Sequence, residues 1–295
     1  MQAMVLAAGF GTRLLPYTRA IPKVLFPILG KPALLLTLER LERLGFRRVA
    51  INLHHLPERI VSALKAADLK IETSLFFEKE ILLTGGALKG AATFLCQEEA
   101  TVIINGDIFF GDLDFNHLLK EHFATGCLVT MVVKRGGGND NLLVERGKVR
   151  ALRVQGTHTF CGIQVISPKL IDHLPPGPSD LIDTYQRLAP DGLLAAYETK
   201  AYICDFGTRE SYLKLHEDLL YRRVHLETEP NLATPLVCLS PIQGVELRDW
   251  TFVDQQVVIG PGTLIRRSVV WPGAEIAPRA KVEETIVPPS LIFMP

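Results

Sequence analysis

From Phe252 onward an apolar residue returns at every sixth position: Phe252, Val258, Leu264, Val270, Ile276 and Val282. Four places after the middle members stand small residues, Gly262, Ser268, Ala274 and Ala280, and the spacing is punctuated by Gly260, Pro261, Pro272, Gly273 and Pro278. A six-residue period with small residues at fixed offsets predicts a hexapeptide β-helix, in which each hexad supplies one short strand and a corner. The expectation is a short C-terminal left-handed β-helix over residues 245–295, reached through a linker at 227–244 that contains Pro230, Pro235 and Pro241. Three hexads complete one turn, so the tail holds about two turns and buries little by itself. It must lean on the rest of the chain or on a partner chain, which points to a homo-oligomer.

Ahead of the tail, residues 1–226 follow a different rule. Met4–Ala7, Arg48–Leu53 and Thr101–Asn105 read as buried strands, and Ala33–Leu44 and Pro57–Ala67 as helices, the first stopped by Gly45 and the second opened by proline. Asp114 is placed to cap a further helix covering Leu118 and Leu119. Strand–helix alternation predicts an α/β domain with a doubly wound, mainly parallel sheet. Lys+Arg and Asp+Glu number 32 each in 295 residues, which argues against a dedicated binder of nucleic acid or of an anionic membrane. No run nears the ~20 apolar residues of a membrane span, and the start has no basic leader segment. Five scattered cysteines, none in a CxxC pair, suit reduced thiols in the cytoplasm and argue against zinc.

The first strand runs into Gly9-Phe10-Gly11-Thr12-Arg13, where two glycines let the backbone approach an anion. Leu14 stands where a dinucleotide fingerprint has its third glycine, and the stretch some twenty residues on, Ala33–Leu36, offers no acidic ribose partner. Gly30-Lys31 lacks the glycine spacing and the Ser/Thr of a P-loop.

The longer string is more specific. Leu6-Ala7-Ala8-Gly9-Phe10-Gly11-Thr12-Arg13-Leu14, then Pro16, Thr18, Pro22-Lys23 and Leu25, resembles the signature of the sugar-1-phosphate nucleotidylyltransferases. Thr84-Gly85-Gly86, Asn105-Gly106-Asp107, Phe160-Cys161-Gly162-Ile163 and Asp205-Phe206-Gly207-Thr208, with Glu210 and Tyr212, continue the resemblance in order. With its hexapeptide tail and Ser268-Val269-Val270-Trp271, the chain is most similar to bacterial mannose-1-phosphate guanylyltransferase-like proteins. The resemblance implies a Rossmann-like nucleotidyltransferase domain and the reaction NTP + sugar 1-phosphate to NDP-sugar + pyrophosphate. It also implies a cytoplasmic, Mg²⁺-dependent enzyme whose small-molecule partners are the triphosphate and the sugar phosphate. GTP with mannose 1-phosphate is the first expectation. UTP or dTTP with glucose 1-phosphate or an N-acetylamino-sugar 1-phosphate such as N-acetylmuramate 1-phosphate is the second, and a non-catalytic regulatory homologue is the rival of another class.

Ligands of open parallel sheets bind beyond the carboxyl ends of strands, and Gly9, Asp107 and Asp205 each follow a strand-like run. Two carboxylates facing a triphosphate call for a divalent cation between them, which makes Asp107 and Asp205 the candidate Mg²⁺ ligands. By resemblance Arg13 holds the β- and γ-phosphates and Lys23 sits near the reacting phosphates. Leu6, Ala7, Ala8, Gly9, Gly11, Thr12, Glu80 and Gly85 complete the expected nucleotide contacts, Glu80 because a carboxylate suits the adjacent N–H donors of guanine. Two departures bear on the sugar. Val154-Gln155-Gly156-Thr157 replaces the Glu-Lys-Pro that many relatives use for the sugar phosphate, and Leu83 replaces a common glycine. Asn141 and Gly162 are the candidates for sugar contacts. The tail has none of the eight histidines, all at or before His225, so it lacks the histidine of hexapeptide acyltransferases.

Overall fold

A computed structural model describes residues 1–136, 140–224 and 234–290. The first part of the expected linker, 227–233 with Pro230, and the end of the expected catalytic domain, 225–226, lie outside the described residues. The chain divides into two compact units, one of Met1–Gly9 with Leu35–Ile203, the other of Phe10–Leu34 with Cys204–Pro295.

The first unit is built on nine strands, β1 (Gln2–Leu6), β2 (Arg48–Leu53), β3 (Glu72–Phe77), β4 (Thr101–Asn105), β5 (Val129–Arg135), β6 (Leu142–Glu145), β7 (Lys148–Leu152), β8 (His158–Ile166) and β9 (Leu194–Glu198). They stand in the order β3-β2-β1-β4-β8-β5-β9-β7-β6. The stretch β3-β2-β1-β4 is parallel throughout, as expected for near-continuous apolar runs buried on both faces. Beyond it the expectation of a mainly parallel sheet fails. Strand β8 runs antiparallel to both β4 and β5, and β7 antiparallel to β9 and β6. The reason is the connections. Arg146 (φ 50°) and Gly147 (φ 73°) join β6 to β7, two left-handed residues in succession, and such a turn folds a chain straight back on itself. Met4, Ala50, Ile103, Val129, Met131 and Tyr185 form part of this unit's core. The helices expected at Ala33 and Pro57 run over Ala33–Arg43 and Pro57–Ala66, and Asp114 caps Phe115–Thr125 by accepting the His117 N–H.

In the second unit, strands β10 (Glu246–Val253), β11 (Leu264–Val270) and β12 (Lys281–Glu283) lie side by side and parallel. Glu246 pairs with Leu264, 18 residues on, but Thr251 pairs with Ser268, 17 on, because the register slips between Arg248 and Thr251. From there the coil keeps 17, with Leu264 beside Lys281 and Val269 beside Ile286. The slip displaces the six-residue pattern. Phe252 stacks on Val269 rather than Val270, and Val258 is 65% exposed while its neighbour Val257 is buried. The corners fall into three columns of left-handed residues: Gly244, Gly262 and Arg279; Asp249, Arg267 and Glu284; Gln256 and Gly273. In the second column Arg267 reaches Glu284 at 2.6 Å and Asp249 at 3.9 Å. Trp271 is buried against Phe26 (centroids 4.7 Å apart), and its Nε1–H donates to the Tyr212 hydroxyl at 2.9 Å, which in turn donates to the Pro27 carbonyl.

Candidate functional site

The parallel part of the sheet ends in register: Leu6 is paired with Asn52 on one side and Asn105 on the other. Three strand ends therefore open at one edge, and there a cavity of about 330 Å³ is lined by Leu6, Ala8, Gly9, Asn52, Glu78, Ile81, Leu83, Thr84, Asn105, Gly106, Asp107 and Asp180. The size is in the range of small-molecule sites, about 300–1,000 Å³, and the carboxyl edge of a parallel sheet is where such sites form.

One hydrogen-bond chain holds the floor. The Asn52 amide oxygen accepts the buried Ala7 N–H at 2.8 Å, and its amide nitrogen donates to one Glu78 carboxylate oxygen at 2.7 Å. The other Glu78 oxygen accepts the Leu82 N–H at 2.9 Å, just before the helix α1 (Leu83–Gly90). On the next strand end, the Gly106 N–H donates to the Leu6 carbonyl at 2.9 Å. Asn52, Glu78 and Asp107 are all buried, so each needs its partners inside the protein or in a ligand.

A second set of contacts fixes the helix α1. Its Thr84 hydroxyl accepts the Leu181 N–H at 3.0 Å and donates to Asp180 at 3.4 Å. Asp180 also caps its own helix through the Ile182 N–H, and Arg153 forks between Asp180 and Asp183. Gly85 and Gly86 explain their own presence. A Cβ on Gly86 would lie 2.5 Å from the Gly177 carbonyl oxygen, and one on Gly85 would lie 2.7 Å from the Ser179 hydroxyl oxygen.

In the second unit the Gly9-containing loop continues as Phe10–Leu34. Gly11 takes φ +65° ahead of the short turn Thr12–Leu14, and a Cβ there would meet Thr18 at 2.8 Å and Lys23 Cβ at 3.2 Å. The Arg13 guanidinium stands 3.7 Å from one Asp205 oxygen, and the other accepts the Gly207 N–H at 2.7 Å. Arg13 and Asp205 are each about half exposed (57% and 51%), which leaves both charges accessible to a ligand. Lys23 is half-buried in its own short turn, Lys23–Leu25.

Of the residues expected from sequence, Leu6, Ala8, Gly9 and Asp107 line the cavity, and Ala7 lies behind it with its N–H taken by Asn52. Gly11, Thr12, Arg13, Lys23 and Asp205 belong to the other unit. Glu80 is exposed and does not line the cavity; the glutamate that does is Glu78, two residues earlier on the chain. Gly85 donates its N–H to the Ser179 carbonyl at 2.8 Å and serves close packing. Asn141 is exposed, with its N–H on the His158 carbonyl at 3.0 Å, and does not line the cavity. Gly162 (φ +73°) sits where the register of β8 shifts, with Ile108 2.6 Å from the position of a Cβ. The cavity residues that sequence reasoning passed over as site residues are Asn52, Glu78, Ile81, Leu83, Thr84, Asn105, Gly106 and Asp180. Asn52 is the one uncharged polar residue in Arg48–Leu53, a pattern that does not by itself mark a site residue.

Among the described residues no three His, Cys, Asp or Glu side chains gather into a metal-binding group. Asp107 in the first unit and Asp205 in the second are still donors of the kind magnesium takes, an ion that keeps several waters and is commonly held by one or two carboxylates plus substrate phosphates rather than by an all-protein cage. Cys161, beside the expected site in sequence, is buried, and burial pushes its thiol up to about 11, so it is an inert core residue.

Residues 2–140 match the nucleotidyl transferase family. Over 97% of its length the chain is 27% identical to a UTP–glucose-1-phosphate uridylyltransferase of Synechocystis sp., spanning 82% of that protein. Over 72% of its length it is 28% identical to a mannose-1-phosphate guanyltransferase of Schizosaccharomyces pombe, of which it spans 62%. Among solved structures, HddC from Yersinia pseudotuberculosis superposes with a TM-score of 0.61 at 26% identity, over 72% of this chain and 97% of that one. HddC has also been solved in complex with GMP-PN. A UDP-glucose pyrophosphorylase from Acinetobacter baumanii shares the fold, with a TM-score of 0.63 at 14% identity over 75% of this chain and 94% of its own.

Proposed function

The chain carries a nucleotidyl transferase domain over residues 2–140 and its homologues are sugar-1-phosphate nucleotidyltransferases, and on that premise we propose that it makes a nucleotide sugar. The reaction is NTP + sugar 1-phosphate to NDP-sugar + pyrophosphate. The observation that carries this reading is the cavity at the ends of β1, β2 and β4, with Leu6, Ala8, Gly9 and Asp107 in its wall. An oxygen of the sugar phosphate attacks the α-phosphorus in line, and pyrophosphate leaves. Negative charge grows on the leaving group, and Arg13 and Lys23 are the fixed cations assigned to it. Asp107 and Asp205 are the assigned magnesium ligands. Bound there, the ion would neutralise phosphate oxygens and orient them.

GTP with mannose 1-phosphate is the preferred pair, supported by the guanylyltransferase relatives and by the GMP-PN complex of HddC. Glu78 takes over the base-reading role first given to Glu80. Two of its carboxylate's roughly four acceptor sites are occupied by Asn52 and Leu82, which leaves others for guanine N–H groups. UTP or dTTP with a glucose or amino-sugar phosphate is the second reading, favoured by the uridylyltransferase relative. Residues 1–226 form the catalytic domain on this proposal. The tail is read as a short left-handed hexapeptide β-helix, supported by its parallel 17-residue coils and three corner columns, and as an assembly element of a cytoplasmic homo-oligomer.

The test is pyrophosphate release from four NTPs against a panel of sugar 1-phosphates, with Mg²⁺ and with EDTA. Metal-dependent release with GTP and mannose 1-phosphate is the expected outcome. Release with another pair moves the assignment to that pair, and silence from a folded protein across the panel overturns it.

A further inference from the structure

Leu83 is held where neither its backbone nor its packing explains it. Its φ of +58° lies in the left-handed region, where an L-residue's Cβ crowds the following carbonyl. A glycine would take this φ without strain. Core burial does not compensate, because the side chain is 49% exposed. What the residue does have is a place in the cavity wall, with Ile81 and Leu6, beside the polar groups of Asn52, Glu78 and Thr84. A strained residue that presents a large apolar side chain to a binding cavity gains its favourable contact from the occupant.

The chemistry of that wall selects the occupant's shape. Aliphatic side chains adjoining a carboxylate and an amide suit a flat ring that is apolar on its faces and hydrogen-bonding at its edge. A phosphate group gains nothing from leucine, and a sugar hydroxyl gains little. We propose that Leu83 packs against the face of the nucleobase and sets the affinity for the nucleoside triphosphate. The proposal rests on the reading of this cavity as the nucleotide site.

Three variants of the full chain separate the contributions. Leu83→Gly removes both the strain and the side chain, Leu83→Ala removes the side chain alone, and Leu83→Met keeps an apolar arm of similar reach. Calorimetric titration with GTP, UTP and inorganic tripolyphosphate is the readout, with thermal melting of the unliganded proteins beside it. Burying the exposed half of a leucine on a base corresponds to about five- to tenfold in affinity. The Gly and Ala variants should bind the preferred triphosphate more weakly by about that factor, and the Met variant should match the parent. The glycine variant should melt no lower than the parent, and tripolyphosphate, which has no base, should bind all four proteins alike. Unchanged triphosphate affinity in the Gly and Ala variants overturns the proposal, as does an equal loss for tripolyphosphate. A parent protein that binds no triphosphate overturns the nucleotide reading itself, and the proposal with it.

Discussion

Asn52 and Glu78 form a donor–acceptor pair whose polarity can be reversed. In Asn52→Asp the oxygen facing Ala7 is kept, but a carboxylate oxygen replaces the amide nitrogen that donates to Glu78 at 2.7 Å. Both residues are under 10% exposed (4% and 9%), so water does not make up the loss. The lost bond to a charged group is worth about 1.5–3 kcal/mol, and two buried carboxylates in contact add about as much again at neutral pH. A destabilisation of about 3–6 kcal/mol follows, shrinking as the pH falls and the pair takes up a proton. Glu78→Gln alone sets one amide N–H against either the Asn52 amide or the Leu82 N–H, at a cost of about 1–3 kcal/mol. The double variant satisfies every group again. The carboxylate introduced by Asn52→Asp accepts from the Ala7 N–H and from the amide introduced by Glu78→Gln, whose own oxygen accepts from the Leu82 N–H. Urea unfolding followed by far-ultraviolet circular dichroism at pH 8 should place it within about 1 kcal/mol of the parent. The GTP KM should stay raised even so, because the amide introduced by Glu78→Gln no longer offers the carboxylate acceptors assigned to guanine. If the double variant loses the sum of the single losses, the two side chains are not coupled and the account of the cavity floor is wrong.

Asp107→Asn should abolish turnover while leaving the melting temperature within a few degrees of the parent; retained activity with unchanged Mg²⁺ dependence would remove Asp107 from the metal assignment. Gly86→Ala drives a methyl group to 2.5 Å from the Gly177 carbonyl oxygen and should cost about 1–3 kcal/mol in denaturant titration, with kcat falling as Thr84 shifts. Burial depresses the His216 imidazole from 6.5 to about 4, with Nδ1–H on the Tyr212 carbonyl at 3.0 Å. Its contribution is complete above about pH 6.5 and is lost as the pH falls toward 4, about 3 kcal/mol in all. His216→Gln should therefore flatten the fall in unfolding free energy between pH 6.5 and 4, and an unaltered slope would show that His216 is not a source of it. Burial raises the Asp254 carboxyl, and among the described residues one of its oxygens has no hydrogen-bond partner. A raised acid stabilises the fold least above its native pKa, so Asp254→Asn should raise the melting temperature at pH 8 and lose that advantage in acid.

What was legible in the sequence divides along physical lines. Strands β1, β2 and β4 are short apolar runs bounded by turn residues, and Gly9 and Asp107 follow two of them directly, so that corner of the site could be read without coordinates. Asn52 was not, because one amide at the end of a hydrophobic strand looks the same whether it faces solvent or clamps a neighbouring strand. Glu78 and Glu80 are alike in a Glu-Lys-Glu run, and only the path of the chain after β3 decides which of them is buried. The β6–β7 turn, Arg146-Gly147, lacks the usual Asn-Gly or Asp-Gly signature, so the mixed half of the sheet was missed. In the tail the parallel strands repeat at 17 rather than at three hexads, because a single slip between Arg248 and Thr251 turns 18 into 17 and changes which residues stack.

That slip sets a rule for how the tail tolerates change in length. Two columns of left-handed residues run through three successive repeats and the third through two, so on the β-helix reading the stack behaves like a spiral staircase whose step height is fixed and whose number of floors is not. Adding a whole 17-residue floor keeps bend above bend and leaves pairs such as Ile265 on Val282 and Val269 on Ile286 in register. Adding a single hexad instead rotates all later steps by one side, setting bends like the one at Arg267 over the middle of a flat face. The tail can therefore grow or shrink only by whole floors.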